Sequence, residues 1–442
     1  MTDAPDIAYA HDDRRPESAM KFVIASWGTR GDVEPCAAVG RELLRRGHEV
    51  CMAVAPDVVG FAESTGLAAV AYGPGLQTIA DARRSWTRFF LTPWKMRDLS
   101  KLTREIQEGY NRHWGEASTT LTSLADGADL LIATSVGFEM LAANVAEYYD
   151  IPLATLHWFP LRANGQLLPF LPAPLCRFAL TVLEWLSRGG TAKESDKAQR
   201  RELGLPEATG PWPRRIDERG SLEIQAYDEM CFPGLAAEWA RCDGRRPFVG
   251  ALTMELPTDA DDEVAAWIAA GTPPICFGFG SVGVESAADT LAMISAACAQ
   301  LGERALICAA GTDFGDVSHL DHVKVVGVMN YAAALPACRA VVHHGGTGTT
   351  AAGLRAGVPT LILWTMPDQA LWGTRVKRLK VGTARRLSAT TQQSLVADLR
   401  TILAPHYLTR AREIATRMTK PAESVTATAD LVEKTARLKR VG

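Results

Sequence analysis

The sequence predicts an α/β protein built as two facing, Rossmann-like domains, and the order of its apolar runs predicts it. Lys21 to Ser26 (KFVIAS) is a short apolar run that opens into Gly28, Gly31 and Pro35. Ala37 to Arg46 follows with helical spacing and stops at Gly47, and His48 to Ala55 is a second apolar run. Strand, helix, strand in that order begins a parallel sheet with crossover helices. Far downstream, Pro274 to Phe279 (PICFGF) opens into Gly280 and Ser281, and the alternation starts again. Two such runs imply two domains. A length of 442 residues agrees, being too long for one ordinary core.

The remaining elements follow in order. Asp129 to Thr134 (DLLIAT) and Pro152 to Leu156 read as further buried strands of the first domain. In the second, a helix is expected over 287–301, with strands at Ala305 to Ala309, Val323 to Val326, Ala340 to Val342 and Thr360 to Trp364. Residues 1–19 are polar and charged and are expected to be a disordered extension, with Met20 as the start of the folded chain. Residues 20–235 form the first domain and 272–442 the second, whose last helix has room to pack back on the first. The stretch 236–271 between them, with Pro247, Pro257 and the acidic Asp259, Asp261 and Asp262, is the linker region.

Composition excludes several classes. With 47% hydrophobic and 22% charged residues and a net charge of only −3, neither nucleic acid nor an anionic membrane is expected as the main partner. The apolar stretch from Ile151 to Leu186 contains five prolines and is interrupted by Arg162 and Arg177, so it does not span a bilayer. At most it is a greasy pocket wall or a peripheral membrane contact. Nine scattered cysteines without a CxxC pair suit a reducing, cytoplasmic location and read as small buried apolar residues.

The strongest local signal is Arg339 to Pro359, RAVVHHGGTGTTAAGLRAGVP. A buried strand ends in His343 and His344, turns through Gly345 and Gly346, and enters a helix near Thr347 that stops at Gly357. Paired glycines allow close backbone approach, and the helix start offers unpaired N–H groups and the positive end of the dipole. Thr347, Thr349 and Thr350 add hydroxyls. These are the parts of a diphosphate site. They are equally the parts of a tight turn whose threonines cap the helix. The pattern is neither GxxxxGKS nor a clean GxGxxG, so nucleotide hydrolysis and dinucleotide binding are not indicated.

The stretch HHGGTGTTAAGLRAGVPTLILWTMPDQALWGTRV resembles the donor-binding signature of nucleotide-sugar glycosyltransferases of the GT-B fold. The nearest branch holds the sterol glucosyltransferases and the bacterial enzymes that glycosylate macrolide and glycopeptide aglycones. GTRGDVEPCAAVGRELLRRGHEV, from Gly28 to Val50, resembles the N-terminal motif of the same branch. The resemblance implies that His343 binds donor phosphate and that Gly345, Gly346, Thr347, Gly348 and Thr349 supply backbone and hydroxyl contacts to the diphosphate. It implies a second phosphate contact at Ser281. Asp368 and Gln369 match the acidic-Gln pair that grips sugar hydroxyls, a role suited to one acceptor and one mixed group. Without the family, Asp368 after Pro367 is an ordinary turn residue. Val328 takes the place of the base-stacking tryptophan of plant relatives, so the donor is a UDP- or a dTDP-sugar. Trp364 stands where relatives have proline.

Many relatives carry Gly-His-x-x-Pro near the N-terminus, whereas this chain reads Gly31, Asp32, Val33, Glu34, Pro35. Asp32 therefore takes the position of the catalytic base, as in the glycopeptide and sterol branches. Its other reading is an N-cap of the following helix, which would make it a weaker base. The implied reaction is direct displacement with inversion, with no cofactor and no metal. Three rivals are a metal-dependent transferase using Asp259 and Asp261, a nucleotide-sugar epimerase, and a non-catalytic nucleotide-sugar sensor. The acceptor is expected against the first domain, where His157, Trp158, Phe159, Phe170 and Phe178 cluster with Trp86, Phe89 and Phe90 around a lipophilic hydroxylated molecule. Core packing accounts for each aromatic equally well, and His157 also reads as a satisfied structural histidine.

Overall fold

The computed structural model describes residues 18–76, 113–134, 138–167, 171–186, 191–280, 286–315 and 320–441. The first sheet comprises β1 (Lys21–Ser26), β2 (Glu49–Val54), β3 (Ala68–Ala71), β4 (Leu130–Thr134), β5 (Leu153–His157) and β6 (Leu222–Gln225). All pairings are parallel, in the order β3-β2-β1-β4-β5-β6. The second sheet comprises β7 (Ile275–Gly278), β8 (Ala305–Cys308), β9 (Val323–Val326), β10 (Ala340–His343), β11 (Thr360–Trp364) and β12 (Gly382–Arg386). Its order is β12-β11-β10-β7-β8-β9, so both sheets are wound alike. In each, the chain reverses direction beside the first strand, between β1 and β4 and between β7 and β10. Such switch points open a crevice at the carboxyl ends of the strands.

The helices that flank the sheets include α1 (Arg30–Arg45), α2 (Glu139–Tyr148), α3 (Thr347–Ala356), α4 (Pro367–Leu379) and α5 (Pro421–Val441). The central strands are buried end to end, as a sheet covered on both faces requires. The two-residue side-chain period divides the second domain's core. Ile275, Phe277, Ala340 and Val342 join one cluster, while Cys276 and Val341 join another across the sheet. All nine cysteines are free thiols, and eight are buried. Among the described residues no helix is long and apolar enough to cross a membrane.

Helix α1 begins seven residues before the sequence-based boundary at Ala37, because the turn at Thr29 supplies its own cap. Strands β3, β6 and β12 do not stand out in the sequence. All three are edge strands, and two of them, AAVA and GTARR, lack the apolar runs of their neighbours.

The domains meet through a third apolar cluster. Tyr227, Phe232 and Trp239 from the segment after β6 pack there with Leu371, Trp372 and Val376 of α4. The chain also returns: Ala429, Val432 and Ala436 of α5 lie in the first domain's core. Arg46 holds Asp430 at 2.7 Å and Glu433 at 3.1 Å. Both passages between domains are tied together. Buried Asp228 accepts from Thr419 N at 2.7 Å and from Ala251 N at 3.4 Å. Arg355, at the end of α3, donates to Ala251 O (2.6 Å), Thr253 Oγ1 (2.8 Å) and Thr419 O (2.8 Å).

Candidate active site

The turn from β10 into α3 lies at the second switch point, beside Gly278 at the end of β7. His343 is fully buried, and its Nδ1 accepts the Gly345 N–H at 3.0 Å. A neutral imidazole with an accepting Nδ1 carries its proton on Nε2. Among the described residues, that Nε2 is buried without a hydrogen-bond partner. Burial, helped by the adjacent His344, lowers the His343 pKa to about 3, so the ring is a neutral donor. An orphaned buried N–H is costly and calls for an acceptor. Gly345 has a φ of +96°, and a Cβ there would lie 2.8 Å from Ile362 Cγ2. Only glycine makes this turn. The His344 ring is wedged between Gly280 and Gly346, where added Cβ atoms would meet it at 2.9 and 2.5 Å.

The three threonines part company. Thr350 donates its hydroxyl to Gly346 O at 2.8 Å, within the helix. The Thr347 hydroxyl lies 3.2 Å from Trp158 O and 2.9 Å from Trp372 Nε1. Thr349 is half-buried, and among the described residues no hydrogen bond engages its hydroxyl. Gly348 is half-buried in the same first turn, while Val328, 42% exposed, follows β9. The Gln369 side chain departs from its expected role. Its Oε1 accepts from Thr365 N (2.8 Å), Thr365 Oγ1 (3.0 Å) and Met366 N (3.1 Å), so the oxygen caps α4 and only amide hydrogens remain to give. Asp368, half-buried in the first turn of α4, is the carboxylate of the pair. Ser281, Trp86, Phe89, Phe90 and Phe170 lie outside the described residues.

In the first domain, Asp32 occupies the third position of α1 rather than its cap. Thr29 is the N-cap, and its N–H and hydroxyl reach Asp32 Oδ2 at 2.8 and 3.1 Å. The carboxylate is thus held on the first turn of the helix after β1. A Cβ on Gly28 would fall 2.3 Å from Asp32 Oδ2, so this approach needs glycine. The turn faces the second domain. Burial pushes the Cys308 thiol up, a hydrogen bond with Tyr331 pulls it down, and the charge of Arg30, two residues before Asp32, adds a smaller pull from the first domain. Glu34 is paired with Arg30 at 3.1 Å. Asp261, the first residue of its helix, ties that helix start to its neighbours, accepting from Thr258 Oγ1 at 2.6 Å and from Asn330 N at 3.0 Å. Its carboxylate is therefore structural.

The segment expected to meet the acceptor begins at the end of β5. His157 is buried, with Nε2 on Glu139 at 2.9 Å and Nδ1 facing Gln225 Nε2 at 3.4 Å. Both ring nitrogens are satisfied, so the ring is structural in this arrangement. Arg162 joins the same cluster, bonded to Glu223 through Nε and to Glu139 through Nη2 at 3.0 Å. Its guanidinium lies 5.0 Å from the Trp212 ring. Burial would raise both carboxyls, but Arg162, seconded by His157 for Glu139 and by Arg246 for Glu223, holds them below their ordinary range. Sequence reading missed this cluster because Glu139, Arg162 and Glu223 are far apart along the chain. Trp158 packs against the first core and Phe159 against the interdomain cluster.

Comparison with known proteins agrees with this fold. Residues 22–164 match the glycosyltransferase family 28 N-terminal domain, and residues 286–437 match the erythromycin biosynthesis protein CIII-like C-terminal domain. The glycosyltransferase Mb1551 of Mycobacterium bovis is 60% identical over 95% of this chain and 100% of its own. Glycosyltransferase GtfE of Amycolatopsis orientalis is 27% identical, covering 93% of this chain and 97% of its own. The structure of glycosyltransferase VinC in complex with dTDP shares the fold, with a TM-score of 0.62 and 21% identity over 95% of this chain and 100% of that one. The chain belongs to the GT-B glycosyltransferases, in the branch of the sterol glucosyltransferases and the enzymes that glycosylate macrolide and glycopeptide aglycones.

Proposed function

We propose that this glycosyltransferase moves a hexose, with inversion and without a metal, from a UDP- or dTDP-sugar to a hydroxyl of a lipophilic small molecule. One observation carries the reading: the buried Nε2–H of His343, unpartnered among the described residues, beside the N-terminus of α3. A diphosphate supplies the missing acceptor, and the helix dipole and first-turn N–H groups favour its charge. The dTDP bound to VinC supports a nucleoside diphosphate there. Val328 offers no flat ring to the base, which leaves thymine and uracil on equal terms.

Across the crevice, Asp32 takes the acceptor's proton as its oxygen bonds to the anomeric carbon. The bond from that carbon to the phosphate oxygen breaks, and its electron pair leaves with the diphosphate. An alcohol is too weak an acid to ionise first, so proton transfer is late and concerted. His343, the α3 N–H groups and the Thr349 hydroxyl stabilise the charge that grows on the leaving group. Aromatics near Trp158 and Phe159 suit an aglycone of macrolide or sterol type. The buried, free cysteines suit a cytoplasmic enzyme.

Asp32→Asn tests the assignment cleanly, because the amide oxygen still accepts from Thr29 and preserves the helix start. With UDP-glucose and dTDP-glucose offered against a panel of hydroxylated lipophiles, product mass should show a loss of about 10²- to 10⁴-fold. Diphosphate binding should persist. Unchanged turnover would assign the proton to another group.

A further inference from the structure

The Thr347 hydroxyl sits in the first turn of the donor helix, yet its bonds point elsewhere. An indole N–H only donates, so at 2.9 Å Trp372 Nε1 gives its proton to Thr347 Oγ1. A carbonyl only accepts, so at 3.2 Å Trp158 O takes the hydroxyl's single proton. No hydrogen remains for a phosphate oxygen. The bridge therefore assigns every proton without ambiguity, and it spans the domains: Thr347 and Trp372 belong to the second, Trp158 to the first.

What the bridge holds is the segment that leaves β5. One residue upstream, His157 is locked to Glu139. Four residues downstream, Arg162 is clamped between Glu139 and Glu223. At the far end, Gln166 O accepts from the buried Arg375 at 2.6 Å. Residues 158–166 are thus fixed from below by first-domain charges and from across the cleft by α3 and α4.

We infer that Thr347 is a positioning residue rather than a phosphate ligand: its hydroxyl, with its rotor set by Trp372, seats the 158–166 segment against the donor helix. This rests on the reading of the His343 turn as the diphosphate site. The diphosphate then meets Thr347 only through its backbone N–H, and the acceptor-side segment is registered to that same first turn.

Thr347→Val removes the hydroxyl at nearly constant shape and strands both Trp158 O and Trp372 Nε1. Hydrogen–deuterium exchange of the amides in 158–166 should quicken by about 5- to 150-fold. UDP and dTDP affinities, titrated by calorimetry, should stay within about threefold of the parent, since a retained N–H contact is unchanged. Thr347→Ser, which keeps the hydroxyl, should restore slow exchange, and Trp372→Phe should show the fast exchange again. Thermal melting checks that each variant folds. Unchanged exchange in Thr347→Val, or a loss of diphosphate affinity matching that of His343→Asn, overturns the inference. If His343→Asn itself leaves diphosphate binding intact, the phosphate-site reading fails instead.

Discussion

Replacing His343 by Asn separates the two jobs of its ring. The Asn side-chain oxygen can accept the Gly345 N–H where Nδ1 does now at 3.0 Å, so the turn should keep its shape. The Nε2–H, which has no partner among the described residues, is lost. A neutral donor to a charged oxygen is worth about 1.5–3 kcal/mol, so UDP or dTDP should bind roughly 10- to 150-fold more weakly. His343→Gln places an amide N–H near the Nε2 position and should recover part of the loss. Because burial and His344 hold the ring's pKa at about 3, it stays neutral throughout an assay range of about pH 5.5 to 8. The ratio of parent to variant affinity should therefore be flat with pH, even though the diphosphate itself titrates. Calorimetric titration at several pH values measures all of this, with circular dichroism melting as the control for folding. Equal affinity in parent and His343→Asn would refute the donor role. A ratio that climbs on acidification would refute the neutral ring.

Asp368→Ala should leave free diphosphate binding near the parent value while the intact nucleotide sugar loses about 5- to 150-fold, read by the same titrations; equal losses would make Asp368 a prop for the turn. Arg162→Met should destabilise the fold at neutral pH by about 3–5 kcal/mol, because it takes away the cation shared by two buried carboxylates and leaves them only His157 and Arg246. The pH trend should also invert. In the parent, the depressed Glu139 and Glu223 contribute stability that is present above the ordinary carboxyl pKa and is lost as pH falls through their lowered values. Without Arg162, burial raises both, so urea midpoints of the variant should improve as pH falls towards about 5. A parallel loss in both proteins would sink the account. EDTA should leave turnover unchanged, and inhibition reversed by Mg²⁺ or Mn²⁺ would overturn the helix-dipole mechanism.

The doubly wound architecture was legible because its central strands are continuous apolar runs ending in glycine turns, as KFVIAS and PICFGF are. The strands at β3 and β12 were not, since an edge strand tolerates the alanines and arginines found there. Motif spacing located His343, Gly345 and Asp32. It could not show what each polar atom does, because that depends on partners distant in sequence. Thr347 and Gln369 look like ligand contacts until Trp158, Trp372 and Thr365 are seen to occupy their oxygens. His157 looked like a candidate for an acceptor hydroxyl only while Glu139 and Gln225 were unknown neighbours.

The chain crosses between its domains twice, and Arg355 grips both crossings from the end of the donor helix. A body hung on one cord can swivel, whereas a body hung on two can only swing about the line that joins them. Arg355 and Asp228 therefore tie the two crossings to one another, which restrains twist between the faces. Asp32 and His343 sit on opposite faces, one in each domain, so this double tie bears on their register. Cutting the chain between Thr419 and Pro421 would leave both leaves with their own sheets but release the swivel. Such a nicked protein should still take up diphosphate while its two catalytic turns lose their common register.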